Sequence, residues 1–154
     1  MPRFDTKYYG QLECTEEDIF DFRLGLPGFE RETQFVFIER PDRAPLVFMQ
    51  SLHRADVCFL ALPVFVADRE YRLSMASEDL SELDLDASRE PKIGPDVLCL
   101  TLLTLVEGSD PTVNLRAPIV VNLRNRKGMQ SIQMESSYSF HAPLLPQTEC
   151  QPCS

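Results

Sequence analysis

Residues 112–133 read TVNLRAPIVVNLRNRKGMQSIQ, and the way this stretch folds back on itself decides the architecture. Two β-rich runs, Pro118–Leu123 and Met129–Gln133, flank Asn125-Arg126-Lys127-Gly128. Asparagine tolerates left-handed backbone angles and glycine adopts them without steric cost, so the middle segment predicts the loop of a β-hairpin. Ile119, Val121 and Leu123 alternate with Val120, Asn122 and Arg124, the period of a strand with one buried face. Asn114, Asn122 and Asn125 crowd together, and Arg116, Arg124, Arg126 and Lys127 meet no acid within the stretch. The whole chain carries fifteen Lys and Arg against twenty-four Asp and Glu, so this is a basic island on an acidic body.

Outside that stretch the chain is mostly short apolar runs separated by turn residues. Residues 3–14 read as a hairpin broken at Gly10, with Phe4, Thr6 and Tyr8 on one face. Thr15-Glu-Glu-Asp18 has the capping-box pattern, but Ile19–Phe22 alternates with period two, which predicts a turn entering a strand. Gly25-Leu-Pro-Gly28 is a turn; a phosphate cradle would need a longer motif followed by Lys-Ser or Lys-Thr. Phe35–Ile38, Leu46–Leu52 and Val57–Leu62 read as strands, the last ended by Pro63. Arg69–Met75 alternates, with Tyr71, Leu73 and Met75 on one side. Ser77-Glu-Asp-Leu-Ser-Glu-Leu then offers an N-cap, two acids for the first turn, and Leu80 and Leu83 one turn apart. One short helix near 78–84 is predicted. After a loop over 86–96, Val97–Val106 is a continuous apolar run with the look of a central strand. Residues 146–154, PQTECQPCS, read as a disordered tail after a domain over 1–145. The pattern is all-β and mainly antiparallel, a barrel or a sandwich.

A chain of 154 residues fits one domain. It has neither a membrane-length apolar run nor a signal-peptide core, so a cytoplasmic protein is expected. Five cysteines, an odd number without framework spacing, agree with a reducing compartment. The net charge of -9 disfavours nucleic acid and suits a basic protein partner, or simply solubility. Cys150-Gln-Pro-Cys153 has redox spacing but lies in the expected tail, and a zinc site would need four ligands. His53 and His141 stand far apart in loop-like contexts without an orienting acceptor or nucleophile, so catalysis, metal and cofactor are not expected. Glu78, Asp79, Glu82, Asp84 and Asp86 form either a solvated face or a dock for a basic partner. Gln50 and Ser51, at a strand end, either satisfy nearby backbone or line a partner groove with the asparagines. Phe48, Phe59, Phe65 and Tyr71 are expected in the core.

The words NL-APIV-N followed by NR-G-Q closely resemble the flagellar assembly factor FliW family. TKYYG with TEEDI, GLPGFE, FMQSL and the late YS-H-PL extend the resemblance, in order, over residues 4–145. It implies a compact β-barrel-like single domain and a non-enzymatic role. Proteins of that family bind flagellin and the carbon storage regulator CsrA, which they keep from repressing flagellin translation until new flagellin takes them away. The implied partners are therefore CsrA and flagellin, with no direct nucleic acid or membrane contact, and a monomer is expected. Candidate contacts are Gln50, Ser51, Asn114, Asn122, Asn125 and Arg126, with Glu70, Tyr71 and Asp79 facing a basic partner. The sequence departs from the family pattern at Arg116, at Phe48-Met49 and at the extra Ala142 after His141. A dedicated flagellin chaperone and a small-molecule enzyme on a barrel are the alternatives.

Overall fold

The computed structural model describes residues 3–6, 10–13 and 16–144; the expected tail and the Cys150–Cys153 pair lie outside the described residues. β1 (Arg3–Thr6) and β2 (Gly10–Glu13) form a separate antiparallel hairpin, and a 3-10 turn, Glu16–Asp18, leads into β3 (Phe20–Asp21). β4 (Gln34–Glu39), β5 (Val47–Ser51) and β6 (Cys58–Pro63) follow as an antiparallel meander. Then come two short helices, α1 (Val64–Ala67) and α2 (Ser77–Glu82). β7 (Val97–Thr104), β8 (Thr112–Val113), β9 (Ile119–Asn122), β10 (Lys127–Gln130) and β11 (Ala142–Pro143) complete the sheet.

Seven strands close on themselves in the order β3-β4-β5-β6-β7-β9-β10 and back to β3. The long strand β7 makes closure possible, because one edge serves two partners: residues 97–100 pair with β9 and residues 103–104 with β8. Every junction is antiparallel except the last, where Lys127 meets Asp21 in a single parallel bridge. The amide of Asp21 donates to the carbonyl of Arg126 at 2.9 Å across that seam.

Alternation sorts the apolar residues into two cores. Phe22, Phe35, Met49, Leu100, Ile119 and Val121 fill the barrel interior. Val97, Cys99, Val120 and Met129 point the other way, under Tyr71, Leu73, Met75, Leu80 and Leu83. β7 and β9 are therefore covered on both faces, the reason residues 97–104 read as one unbroken apolar run. The single buried face expected for 119–123 is corrected accordingly. Val120 and Asn122 are buried on the second side, and it is Leu123 that emerges.

The hairpin at the heart of the sequence is real, with Gly128 opposite Val121 and Gln130 opposite Ile119. Its second strand is Lys127–Gln130 rather than Met129–Gln133, so Lys127 and Gly128 belong to the ladder and not to the loop. Its left-handed residue, however, is Arg126 (φ 62°), not Asn125 or Gly128. Three further expectations are corrected. Residues 69–75 keep their alternating burial but form no strand, because their amides go to side chains: Arg72 N–H donates to Tyr138 Oη and Ser74 N–H to Gln133 Oε1. The predicted helix has a companion, α1, where the apolar run after Pro63 gave no periodic signal. Ser77 is the first residue of α2 rather than its cap, which is Ala76 with no side-chain bond. Six residues are too few to hold a helix alone, so α2 depends on what it touches.

Candidate functional site

The residues singled out by the sequence fall into two clamps, one at the β5–β6 turn and one at α2, with Glu70, Tyr71 and Asn114 outside both. The first clamp closes the β5–β6 turn. Gln50 and Ser51 are both fully buried. Gln50 Nε2 lies 3.0–3.3 Å from the carbonyls of Ser51, Arg54, Ala55 and Val57. Ser51 Oγ donates to the buried Glu32 at 2.5 Å and accepts from the amides of His53 and Arg54. Of the two readings open for this pair, the geometry supports the backbone-satisfying one, since buried carbonyls need donors.

The second clamp fastens α2 to the barrel. Asn122 Nδ2 donates to the Leu83 carbonyl at 2.7 Å, and Asn125 Nδ2 reaches the same oxygen and Asp84. This satisfies a carbonyl left over at the helix C-terminus. The two Asn Oδ1 atoms meanwhile accept from the amides of Arg124 and Lys127, shaping the loop between β9 and β10. Lys127 Nζ pairs with Asp84 at 2.7 Å, Arg23 pairs with Glu82, and Ser131 Oγ donates to Asp79 at 2.6 Å. The acidic row is thus largely engaged within the chain, and Lys127 of the basic island finds its acid in Asp84, just after α2. Asn114 Oδ1 accepts from Ala117 N at 2.8 Å in a local turn. Tyr71 is buried, stacked on Tyr138 at 4.5 Å, and donates to the Leu115 carbonyl; burial raises its hydroxyl pKa far above the ordinary value. Of the nominated residues, Glu70 and Asn125 are exposed, Asp79, Asn114 and Arg126 half-buried, and Gln50, Ser51, Tyr71 and Asn122 buried. The structure joins Asp79, Asn122, Asn125 and Arg126 into one neighbourhood and leaves Glu70 and Gln50 elsewhere.

Sequence reasoning missed the surface that follows β10. Ser131 and Gln133 turn inward, so Ile132 and Met134 stand out at 59% and 68% exposure. The guanidinium of Arg116 donates to the Gln133 carbonyl at 3.0 Å and lies 5.6 Å from the exposed Phe140 ring. Beside them is a cleft of about 560 Å³ lined by Arg72, Leu73, Ser74, Glu90, Met134 and Tyr138 among others. The signal was present in the sequence: apolar residues sit at positions out of phase with Met129. Phe65 on α1 is likewise exposed, against expectation, because a four-residue helix cannot turn all its apolar residues inward.

No chemistry stands out. Burial pushes the Cys99 thiol up to about 12, which keeps it protonated and unreactive. Among the described residues no three His, Cys, Asp or Glu gather as a metal site, and no helix is long and apolar enough to cross a membrane. Asp96 is held below the ordinary carboxylate range by the hydrogen bond from Arg89, then by that from the Lys92 amide. A depressed folded-state pKa stabilises above the unfolded value and is lost as pH falls through the folded one. Asp96→Asn should therefore flatten the acid limb of a stability-against-pH curve below about pH 4, relative to the parent. An unchanged slope there would show that Asp96 does not contribute.

Comparison with known proteins extends over the same residues that build the barrel. The family model described as FliW protein matches residues 3–144. The flagellar assembly factor FliW of Bacillus subtilis (strain 168) is 34% identical over 140 residues, covering 90% of this chain and 94% of that protein. The one from Desulfitobacterium hafniense is 34% identical over 149 residues, covering 97% and 95%. A crystal structure of the flagellar assembly factor FliW superposes with a TM-score of 0.81 at 32% identity, covering 95% of this chain and 99% of that one. With both cores, the closing seam and both clamps inside the matched span, the chain belongs to the FliW family of flagellar assembly factors.

Proposed function

We propose that the chain works in the cytoplasm as a monomeric partner switch, binding CsrA and flagellin in turn and performing no reaction on a substrate. Bound to CsrA, it keeps that regulator from repressing flagellin translation; newly made flagellin displaces it, and export of flagellin releases it again. The observation that carries this reading is membership of the FliW family across the whole barrel, residues 3–144. The surface is compatible with two protein partners. A net charge of -9 suits association with a basic protein, while Ile132, Met134 and Phe140 offer exposed apolar area. Glu70 and Asn125, with the half-buried Asp79, Asn114 and Arg126, remain the nominated contacts that a partner can reach, and no membrane or nucleic-acid contact enters the scheme.

The test is competition. Unlabelled flagellin titrated into a complex of this protein with fluorescent CsrA should release the label, and CsrA should weaken flagellin binding by the same factor, because equilibrium coupling is reciprocal. A standard interface takes about 800 Å² per partner, so two of them would cover only about a sixth of a surface of 9321 Å², and mutual exclusion therefore requires overlapping or energetically coupled patches. A stable ternary complex on size exclusion, with both affinities unchanged, would defeat the switch. Flagellin binding with no CsrA binding at any concentration would leave a dedicated chaperone in its place.

A further inference from the structure

The weakest closure of the barrel, the only left-handed non-glycine residues among those described and the fastening of α2 all occur at one place. The seam between β3 and β10 is a single parallel bridge, Lys127 with Asp21. Among the described residues only Asp84 (φ 58°) and Arg126 (φ 62°) are non-glycine residues with positive φ. Asp84 follows α2 and holds Lys127; Arg126 supplies the carbonyl that receives the Asp21 amide across the seam. Arg23, next but one after Asp21, pairs with Glu82 on α2. A surface cleft of about 490 Å³ runs along the same junction, lined by Asp21, Arg23, Gln34, Glu82 and Lys127 among others. Left-handed residues with side chains are disfavoured and persist where surrounding contacts hold them, and such strain tends to collect at elements with two arrangements.

We propose that α2, the β9–β10 loop and the β3–β10 seam form a strained clasp that opens as one unit while the β4–β5–β6 meander stays folded. In the open state Asp84 and Arg126 relax, the ion pairs of Arg23 and Lys127 with α2 part, and the Asp21–Arg126 bond is lost. The barrel then has two free edges, on β3 and β10. The β4–β5–β6 meander takes no part, because its ladder of paired residues and the Gln50 clamp are independent of the seam. The exposed ion pairs are individually weak, and the buried Phe22, Leu80 and Leu83 with the Asn122–Leu83 bond supply most of the hold. Opening is therefore a cooperative sub-global event that stays below global unfolding because the meander keeps its own ladder.

Native-state hydrogen exchange on the full chain tests this without any partner. Arg126→Gly removes the strain and keeps both backbone bonds of that residue, and it should slow exchange about fivefold, together, in peptides from residues 20–24, 77–85 and 122–131. The pair Arg23→Gln with Lys127→Gln should speed the same three segments together and leave residues 47–62 unchanged. Three results would overturn the clasp: faster or unchanged exchange in Arg126→Gly, independent responses of the three segments, or an equal shift in residues 47–62, which would mark a change in global stability alone.

Discussion

Gly128→Ala should destabilise the protein by about 2–3 kcal/mol, lowering its melting midpoint by roughly 5–10 °C. The residue is not there for unusual backbone angles, since its φ is not positive. A Cβ at this position would come within 2.6 Å of Phe22 Cζ and 2.8 Å of Phe22 Cε1. Phe22 is fully buried, packed edge-on to Phe35 at 5.3 Å, and cannot swing aside without disturbing that contact. Where β3 is only two residues long, this ring takes over from backbone pairing in filling the gap beside β10. The cost should shrink in a Phe22→Leu background, where the added methyl finds room, so a double-mutant cycle should give a coupling of about 1 kcal/mol. Strictly additive effects, or an unchanged midpoint in Gly128→Ala alone, would show that the ring does not need the missing Cβ.

Gln50→Leu should cost a similar amount, about 2–3 kcal/mol, from the loss of hydrogen bonds to buried carbonyls at the β5–β6 turn. Leucine fills much of the same volume, so the effect isolates the polar contacts from packing. This variant also separates two roles for a word that carries the family resemblance. A side chain with no exposure that bonds the buried carbonyls of its own turn acts through the fold, so partner binding measured per folded molecule should be unchanged. A variant with the parent's melting midpoint but weakened binding to CsrA or flagellin would restore Gln50 as a contact residue.

The same argument extends to Asn122, whose amide is engaged by Leu83, and to Tyr71, whose hydroxyl is engaged by Leu115. The words that make the family recognisable are in large part the words that fasten the turns and α2. They locate the fold more directly than they locate a binding surface. The exposed Ile132, Met134 and Phe140 belong to none of those words as functional picks, and the first two emerge because the chain after β10 turns Ser131 and Gln133 inward.

By itself the sequence determined what local chemistry determines. Period-two alternation and turn residues marked the strands of the meander and the hairpin of β9 and β10, because strand geometry and turn preference act over a few residues. Acids after Ser77 with leucines one turn apart marked α2 for the same reason. Tertiary structure alone decided the rest. Whether residues 69–75 join a ladder depended on which neighbours offered them hydrogen bonds, and those neighbours, Tyr138 and Gln133, lie about sixty residues away. Whether Asn122 and Gln50 face a partner or a carbonyl depended on closure of the barrel, which brings α2 against β9 and folds the β5–β6 turn over its own backbone. Alternation tells which residues share a face; only the packing of one element on another tells what that face meets.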